Sequence, residues 1–386
     1  VQNAQIAIVG AGPAGLSTAA ALKGVGLTGV VLDRDNAVGS SWLRRYDRLH
    51  LHTIRRFSAL ACSSIPRTYP KYMSRNMYAE YLKSYAQQFA IDVVHNCNVE
   101  AIRVDSFLQN GRPMFSLETS QGSWTARAVV IATGMYGDPL PVETARRNEY
   151  RGLTIHSSAY TTGRMYAGKR VLVVGLGNTG AEIATDLVEQ GASFVAVSIR
   201  TMPPIVPRDF IGTPVQLFGI ALSRVPARVA DWIGSKLARI ALGDLTRYGL
   251  RKAQWAPFSA KRIPVIDVGF VDCVKRGRIS IRPTIACFSK DGVVYSDGRE
   301  ENVDVVILAT GYETGLDRLL KVPGMLDEVG FPRFASGART AQPGLYFMGF
   351  FESHRGHLYE IAIASRQLAR IIAADLASDR RVASTL

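Results

Sequence analysis

Two hexapeptides, GAGPAG and GLGNTG, have the residue types and spacing to hold a pyrophosphate. In the first, Gly10 allows a tight turn and Gly12 presents bare backbone to the phosphates. Gly15 lets the following helix sit close to the preceding strand, so the phosphates meet free N–H groups at a helix N-terminus. Gly175, Gly177 and Gly180 repeat the pattern, with Asn178 inside it. The residues that follow differ in charge. Asp33 stands about twenty residues beyond the first glycines, where a carboxylate grips ribose hydroxyls. Arg200 takes the matching place after the second, where a guanidinium suits a 2′-phosphate that a carboxylate would repel. An exposed arginine at a strand end is also common without such a role. The pattern predicts one dinucleotide with free ribose hydroxyls and one NADP(H). FAD with NADPH is the usual pair, and two such cofactors on one chain imply electron transfer between them. Cys62, Cys97, Cys273 and Cys287 form no C-x-x-C, so a dithiol-based disulfide reductase is excluded and dioxygen or another acceptor remains.

Both motifs need a strand before them and a helix after them. IAIVGAGPAGLSTAAALKGVGLTGVVLDRD at 6–35 and VLVVGLGNTGAEIATDLVEQGASFVAVSIR at 171–200 each read as strand, glycine turn, helix and second strand, which is a βαβ unit. Two further buried strands end alike, VVIATG at 129–134 and VVILATGY at 305–312. Thr133, Gly134, Thr310 and Gly311 therefore mark places where the chain passes something flat or tight. One of these strands precedes the second unit and the other follows it. The simplest architecture is α/β with two Rossmann-like dinucleotide-binding domains, one inserted in the other. The FAD domain takes 1–163 and 301–386, and the NADPH domain takes 164–300. RNMYAEYLKSYAQQF at 75–89 places Met77, Tyr78, Tyr81, Leu82, Tyr85 and Phe89 at helical spacing, as an amphipathic helix on the core does. Residues 210–250 read as two amphipathic helices broken near Pro226, with Arg224, Arg228, Lys236 and Arg239 among the apolar residues. Such helices pack on a core, line a substrate entrance or make a peripheral membrane contact.

The net charge of +14 raises nucleic-acid binding as a reading. The basic residues are scattered, however, without a dense block, helix-turn-helix signature or zinc-ligand spacing. Nucleic acid is therefore excluded as a partner, and the charge is assigned to attraction of anionic dinucleotides, substrate or lipid. Scattered thiols, the absence of a leader pattern and the absence of a long apolar run give a cytoplasmic location as the expectation. Composition carries no information on oligomeric state.

With these motifs in place, the chain resembles the class B flavin-containing monooxygenases. Their signature F-x-G-x-x-x-H-x-x-x-[YF] is matched by YRGLTIHSSAY, with Gly152, His156 and Tyr160 in register and Tyr150 in place of the leading Phe. Within the family it is most similar to the plant YUCCA group, through YDRLHLH at 46–52, PRTYP at 66–70, LGDLTRYGL at 242–250, PVIDVG at 264–269 and GLYFMGF at 344–350.

The resemblance implies an NADPH-dependent flavin monooxygenase acting on a small molecule and dioxygen through a 4a-(hydro)peroxyflavin. It implies FAD on Gly10, Gly12, Gly15 and Asp33, with Ser41 and Trp42 in the next loop and Gly349 near the end of the chain. NADPH falls on Gly175, Gly177, Asn178, Gly180 and Arg200. His52 stands where many relatives carry an Asn at the flavin edge, so it is either a catalytic hydrogen-bonding group or a structural histidine. His156 reads as a residue that positions a loop. The YUCCA likeness implies oxidative decarboxylation of an aryl 2-oxo acid such as indole-3-pyruvate. N- or S-oxygenation, Baeyer–Villiger chemistry and NADPH oxidation without oxygen transfer stay open as alternatives.

Overall fold

The computed structural model describes residues 1–107, 113–140 and 144–383. Strand β1 (Gln2–Val9) runs into helix α1 (Pro13–Lys23) and on to β2 (Val30–Leu32), the first expected βαβ unit. Ile6, Ala7 and Ile8 are wholly buried, as a central strand covered on both faces requires. Small residues such as Ala19, Ala20 and Ala21 let α1 pack closely. On its far side it meets the last helix of the chain, where the buried Ser17 and Ser365 hydroxyls pair at 2.7 Å.

Helix α2 (Arg75–Gln88) is the expected aromatic helix, and the Ser74 side chain caps it by accepting from the Met77 N–H. Tyr78, Tyr81, Leu82 and Tyr85 are buried. Met77 departs from the expectation and is 42% exposed. Adjacent helical residues point about 100° apart, and the tyrosine stripe takes the inward face. The Tyr85 hydroxyl donates to the Ala61 carbonyl at 2.6 Å, and the Leu60 N–H donates to the Tyr81 hydroxyl at 2.9 Å, so α2 also fixes the turn at 60–61.

The first sheet is completed by β3 (Val93–Val94), β4 (Val99–Phe107), β5 (Pro113–Thr119) and β6 (Gly122–Ile131), in the order β3-β2-β1-β6-β5-β4. One edge of β6 serves two partners. It pairs antiparallel with β5 over Gly122–Ala126 and parallel with the late strand Leu345–Phe347 over Val129–Ile131. The end of the chain thus returns to the first sheet.

The second sheet is parallel and has five strands. These are β7 (Leu153–His156), β8 (Arg170–Val174), β9 (Phe194–Ser198), β10 (Ser280–Arg282) and β11 (Val305–Leu308), in the order β10-β9-β8-β11-β7. Helix α3 (Asn178–Glu189) joins β8 to β9. Strands β7 and β11 fall outside the 164–300 range read from the sequence. A buried VVIL run looks the same whichever parallel sheet it joins, and LTIH carries no strand signal of its own.

The two sheets repeat one local device. A Cβ on Gly10 would stand 2.7 Å from the Ala132 carbonyl oxygen, and one on Gly175 would stand 2.5 Å from that of Ala309. Each fingerprint's first glycine therefore lies against the end of the strand that closes in Thr-Gly. Beyond this core, helices α4 (Val215–Leu222) and α5 (Ala227–Leu242) are separated at Pro226, as expected. The last helix, α6 (His357–Ala383), packs on α1. The chain passes between the sheets after β6 and again after β11. At these crossings Asp138–Pro139 pairs antiparallel with Tyr312–Glu313. Among the described residues no helix is long and apolar enough to cross a membrane.

Candidate functional site

A cavity of about 1940 Å³ opens along the C-terminal ends of β1 and β8. That is about twice the upper end of the roughly 300–1,000 Å³ of a site for one drug-sized ligand. Ends of strands beside a change in strand order are where open α/β sheets bind ligands.

The glycines divide by geometry into the two roles that nucleotide binding requires. A Cβ added to Gly12 or Gly177 meets nothing within 4 Å. Both are N-caps, of α1 and α3 respectively, and no side chain caps either helix. Orphan N–H groups thus face open space of the right kind for an anion. Gly15 and Gly180 do not line the cavity. A Cβ on Gly15 would lie 1.9 Å from the Gly10 carbonyl oxygen, and one on Gly180 would lie 2.1 Å from that of Gly175. Gly10 and Gly175 have φ of 107° and 105°, a region that side chains rarely adopt. The residues present fit two dinucleotides.

The other expected binding residues gather around the same space: Asp33, Ser41, Trp42, Thr133, Gly134, Asn178, Arg200, Thr310, Gly311 and Gly349 all line it. Asp33 accepts from the Ala11 N–H and, at 2.8 Å, from the Asp35 N–H, which fixes its carboxylate at the end of β2. The buried Thr310 hydroxyl has no partner among the described residues, an orphan that a ligand at this strand end would satisfy. Arg200 is exposed just after β9. Asn178 lines the cavity, but its amide is used to hold the neighbouring strand. It accepts from the Ile266 N–H at 2.7 Å and donates to the Pro264 carbonyl at 3.3 Å.

His52 lines the cavity, and its Nε2 lies 2.8 Å from Oε1 of Glu182. Glu182 belongs to α3, the helix that begins at Gly177, and is 2% exposed. The same carboxylate faces Tyr46, whose phenol is pushed well up by burial and further by Glu182. Arg48 adds a second link from this loop, donating to both Glu189 oxygens at 2.8 and 2.9 Å. The loop at 46–52 is thereby tied to the helix of the second fingerprint. Sequence reading missed Glu182, because its neighbours on the helix surface, Asn178, Thr179, Thr185 and Asp186, are polar and give that face the look of a solvated one.

The signature residues act as structural ties. Gly152 is pressed against the Asp304 carbonyl oxygen, which a Cβ would approach to 2.7 Å. The Tyr160 hydroxyl donates to Asp186 of α3 at 2.6 Å. His156 Nε2 lies 3.1 Å from the Gly311 carbonyl oxygen, and burial lowers the pKa of its ring. That contact ties His156 to the Thr-Gly turn at the end of β11. Further lining residues were not foreseen. The Arg45 guanidinium stands 5.8 and 5.7 Å from the ring centres of Tyr136 and Tyr312. Arg262 lies 4.7 Å over Trp255, and Phe258 stacks on His354 at 4.3 Å. These groups come from loops far apart in the chain, so no spacing rule joins them.

Comparison with known proteins follows the geometry. The family described as pyridine nucleotide-disulphide oxidoreductase matches residues 7–204. The flavin-containing monooxygenase from Stenotrophomonas maltophilia has a TM-score of 0.73 at 22% identity, covering 97% of this chain and 99% of that one. An oxidized steroid monooxygenase bound to NADP has a TM-score of 0.73 at 19% identity, covering 96% and 85%. These likenesses establish the fold. Indole-3-pyruvate monooxygenase YUCCA6 of Arabidopsis thaliana is 36% identical over 356 residues, 89% of this chain and 84% of that protein. Indole-3-pyruvate monooxygenase YUCCA4 of Oryza sativa subsp. japonica is 35% identical over 369 residues, 90% and 83%. Fold, paired dinucleotide cradles and relatives define a monooxygenase built on the pyridine nucleotide-disulphide oxidoreductase fold. Within that class the chain belongs to the family of the YUCCA monooxygenases.

Proposed function

We propose that this enzyme converts an aryl-substituted 2-oxo acid, with indole-3-pyruvate as the type substrate, into the carboxylic acid one carbon shorter. The bond between the keto carbon and the carboxylate breaks and carbon dioxide leaves. One atom of dioxygen enters the product, the other becomes water, and NADPH with a proton supplies the reducing equivalents. The observation that carries this reading is the lining of the cavity. Guanidinium groups of Arg45 and Arg262 lie beside aromatic rings, and neither forms an ion pair among the described residues. That combination suits a flat ring bearing a carboxylate. The YUCCA relatives, named as indole-3-pyruvate monooxygenases, support the same substrate.

In this reading FAD is held by Gly10, Gly12, Asp33, Ser41, Trp42, Thr133, Gly134 and Gly349. NADPH is held by Gly177, Asn178, Arg200, Thr310 and Gly311. Gly15 and Gly180 act one step back, by bringing each helix close to its strand. Bound flavin, reduced by NADPH, supplies the electrons and the activation of dioxygen. Asp33, already oriented by two backbone N–H groups, accepts from ribose hydroxyls, while Arg200 meets the 2′-phosphate. Glu182 holds His52 by Nε2 and fixes the orientation of its ring at the cavity wall. The NADPH unit runs from β7 to β11, roughly 153–308, and is inserted in an FAD unit formed by the rest.

The test is a substrate panel of indole-3-pyruvate, phenylpyruvate, an amine, a thioether and a cyclic ketone, with NADPH and isotopically labelled dioxygen. Mass spectrometry should find the shortened acid with one labelled oxygen in its carboxylate. Sulfoxide or N-oxide alone would overturn the substrate class. Peroxide without organic product would point to an NADPH oxidase.

A further inference from the structure

Helices α4 and α5 have two unlike sides. Their inner sides wall the cavity through Phe218, Gly219, Leu222, Gly234, Leu237 and Ala238. Their outer sides and the turn between them bear exposed apolar residues: Leu217, Val225 in the turn, Val229, Trp232 and Ile240 are 37%, 39%, 46%, 63% and 72% exposed. None of these five lines the cavity. Val229, Trp232, Lys236 and Ile240 recur at helical spacing, so they form one stripe on α5. Just before α4, the turn between Asp209–Phe210 and Thr213–Pro214 carries Ile211 at its tip, 89% exposed and at φ 49°. Single exposed apolar residues are ordinary, but a stripe of them along one helix is not.

Charge selects what covers this face. Between 211 and 243 the basic residues are Arg224, Arg228, Lys236 and Arg239, all exposed and none in an ion pair among the described residues. The one acid there, Asp231, is turned away from them. It accepts from the Phe258 and Ser259 N–H groups at 2.8 and 2.9 Å. Apolar residues interleaved with unpaired cations on a helix too polar to span a bilayer describe a segment that lies in the membrane interface.

We infer that the outer face of α4 and α5, with the Ile211 turn, docks on an anionic lipid surface. The apolar side chains enter the headgroup boundary and the four cations meet lipid phosphates. The experiment is co-sedimentation of the FAD-loaded protein with vesicles of phosphatidylcholine alone or mixed with phosphatidylglycerol. Binding should require phosphatidylglycerol and fall with added salt. Arg228→Gln with Lys236→Gln should weaken the partition coefficient by roughly twenty-five-fold, about fivefold for each cation. Trp232→Ser with Ile240→Ser should abolish sedimentation. Both variants should keep wild-type FAD content and NADPH oxidation, because all four residues lie outside the cavity. Equal binding of the variants and the wild type would overturn the inference, as would no binding to either vesicle. Concentration-dependent dimerisation without lipid, lost in the Trp232→Ser, Ile240→Ser variant, would instead assign the face to a second copy of the chain.

Discussion

Gly12 and Gly15 lie in one hexapeptide, yet the structure predicts opposite consequences for replacing them with alanine. Gly12 has φ −77° and ψ −176°, a conformation open to any residue, and its added Cβ meets nothing within 4 Å. Gly12→Ala should therefore leave the apoprotein's thermal transition where it is. The methyl group instead occupies the approach to the helix N-terminus. Loss of a charge-assisted contact between backbone N–H and phosphate costs roughly 1.5–3 kcal/mol, about ten- to a hundredfold in FAD affinity. For Gly15→Ala the methyl group would stand 1.9 Å from the Gly10 carbonyl oxygen and 3.3 Å from Ile8 Cγ2. Backbone must move, and such overpacking costs roughly 1–3 kcal/mol of stability before any ligand is added. The assay pairs thermal unfolding of flavin-stripped protein with an FAD titration followed by quenching of flavin fluorescence. Equal destabilisation by the two substitutions, or unaltered FAD affinity in Gly12→Ala, would refute the division of the glycines into cradle and packing roles. Gly177 and Gly180 repeat the pair for the second nucleotide, with the 2.1 Å contact at Gly180 again on the packing side.

Arg200→Glu should raise the KM for NADPH about ten- to a hundredfold while changing that for NADH little; equal effects would mean that Arg200 does not read the phosphate. Glu182→Ala leaves His52 and Tyr46 without their shared buried acceptor and should cost about 1–3 kcal/mol in thermal unfolding. It should also lower the product formed per NADPH, which Glu182→Gln, keeping the shape and a hydrogen bond, should partly restore. His357 is half-buried at the cavity wall, with its ring nitrogen 3.0 Å from the Phe351 carbonyl oxygen, and loss of surrounding water lowers its pKa below the ordinary 6.5. The unfolded chain then binds the extra proton first, so stability should fall as pH drops below about 6.5. In thermal melts across that window, His357→Gln should flatten the decline, with the contribution of His156 left in place.

The parts of this protein that were legible in its sequence are those written locally. A glycine spacing, a β-branched run before it and a charge after it lie within thirty residues, and the backbone geometry of Gly10, Gly12 and Gly15 follows from that spacing. The tyrosines of α2 were legible because a 3.6-residue period is a local property. Strand membership was not. Val305–Leu308 reads as a buried parallel strand, but its place beside β8 depends on pairing across more than 130 residues. The lining from Arg45, Tyr136, Tyr312, Trp255 and Arg262 was invisible for the same reason. The contact between His52 and Glu182 joins the loop after one fingerprint to the helix of the other, and neither residue's neighbours announce it.

The paired crossings between the sheets have a mechanical consequence. Two connecting segments that hydrogen-bond to each other, Asp138–Pro139 with Tyr312–Glu313, act as one stiff pivot rather than two independent tethers. Sliding and twisting of one sheet against the other would shear that pairing, whereas rotation about its line leaves the pairing intact. Rotation about that line is resisted by the clasps from His52 to Glu182 and from Arg48 to Glu189. Any rotation that parts the sheets on that side would therefore have to stretch the bond between His52 and Glu182.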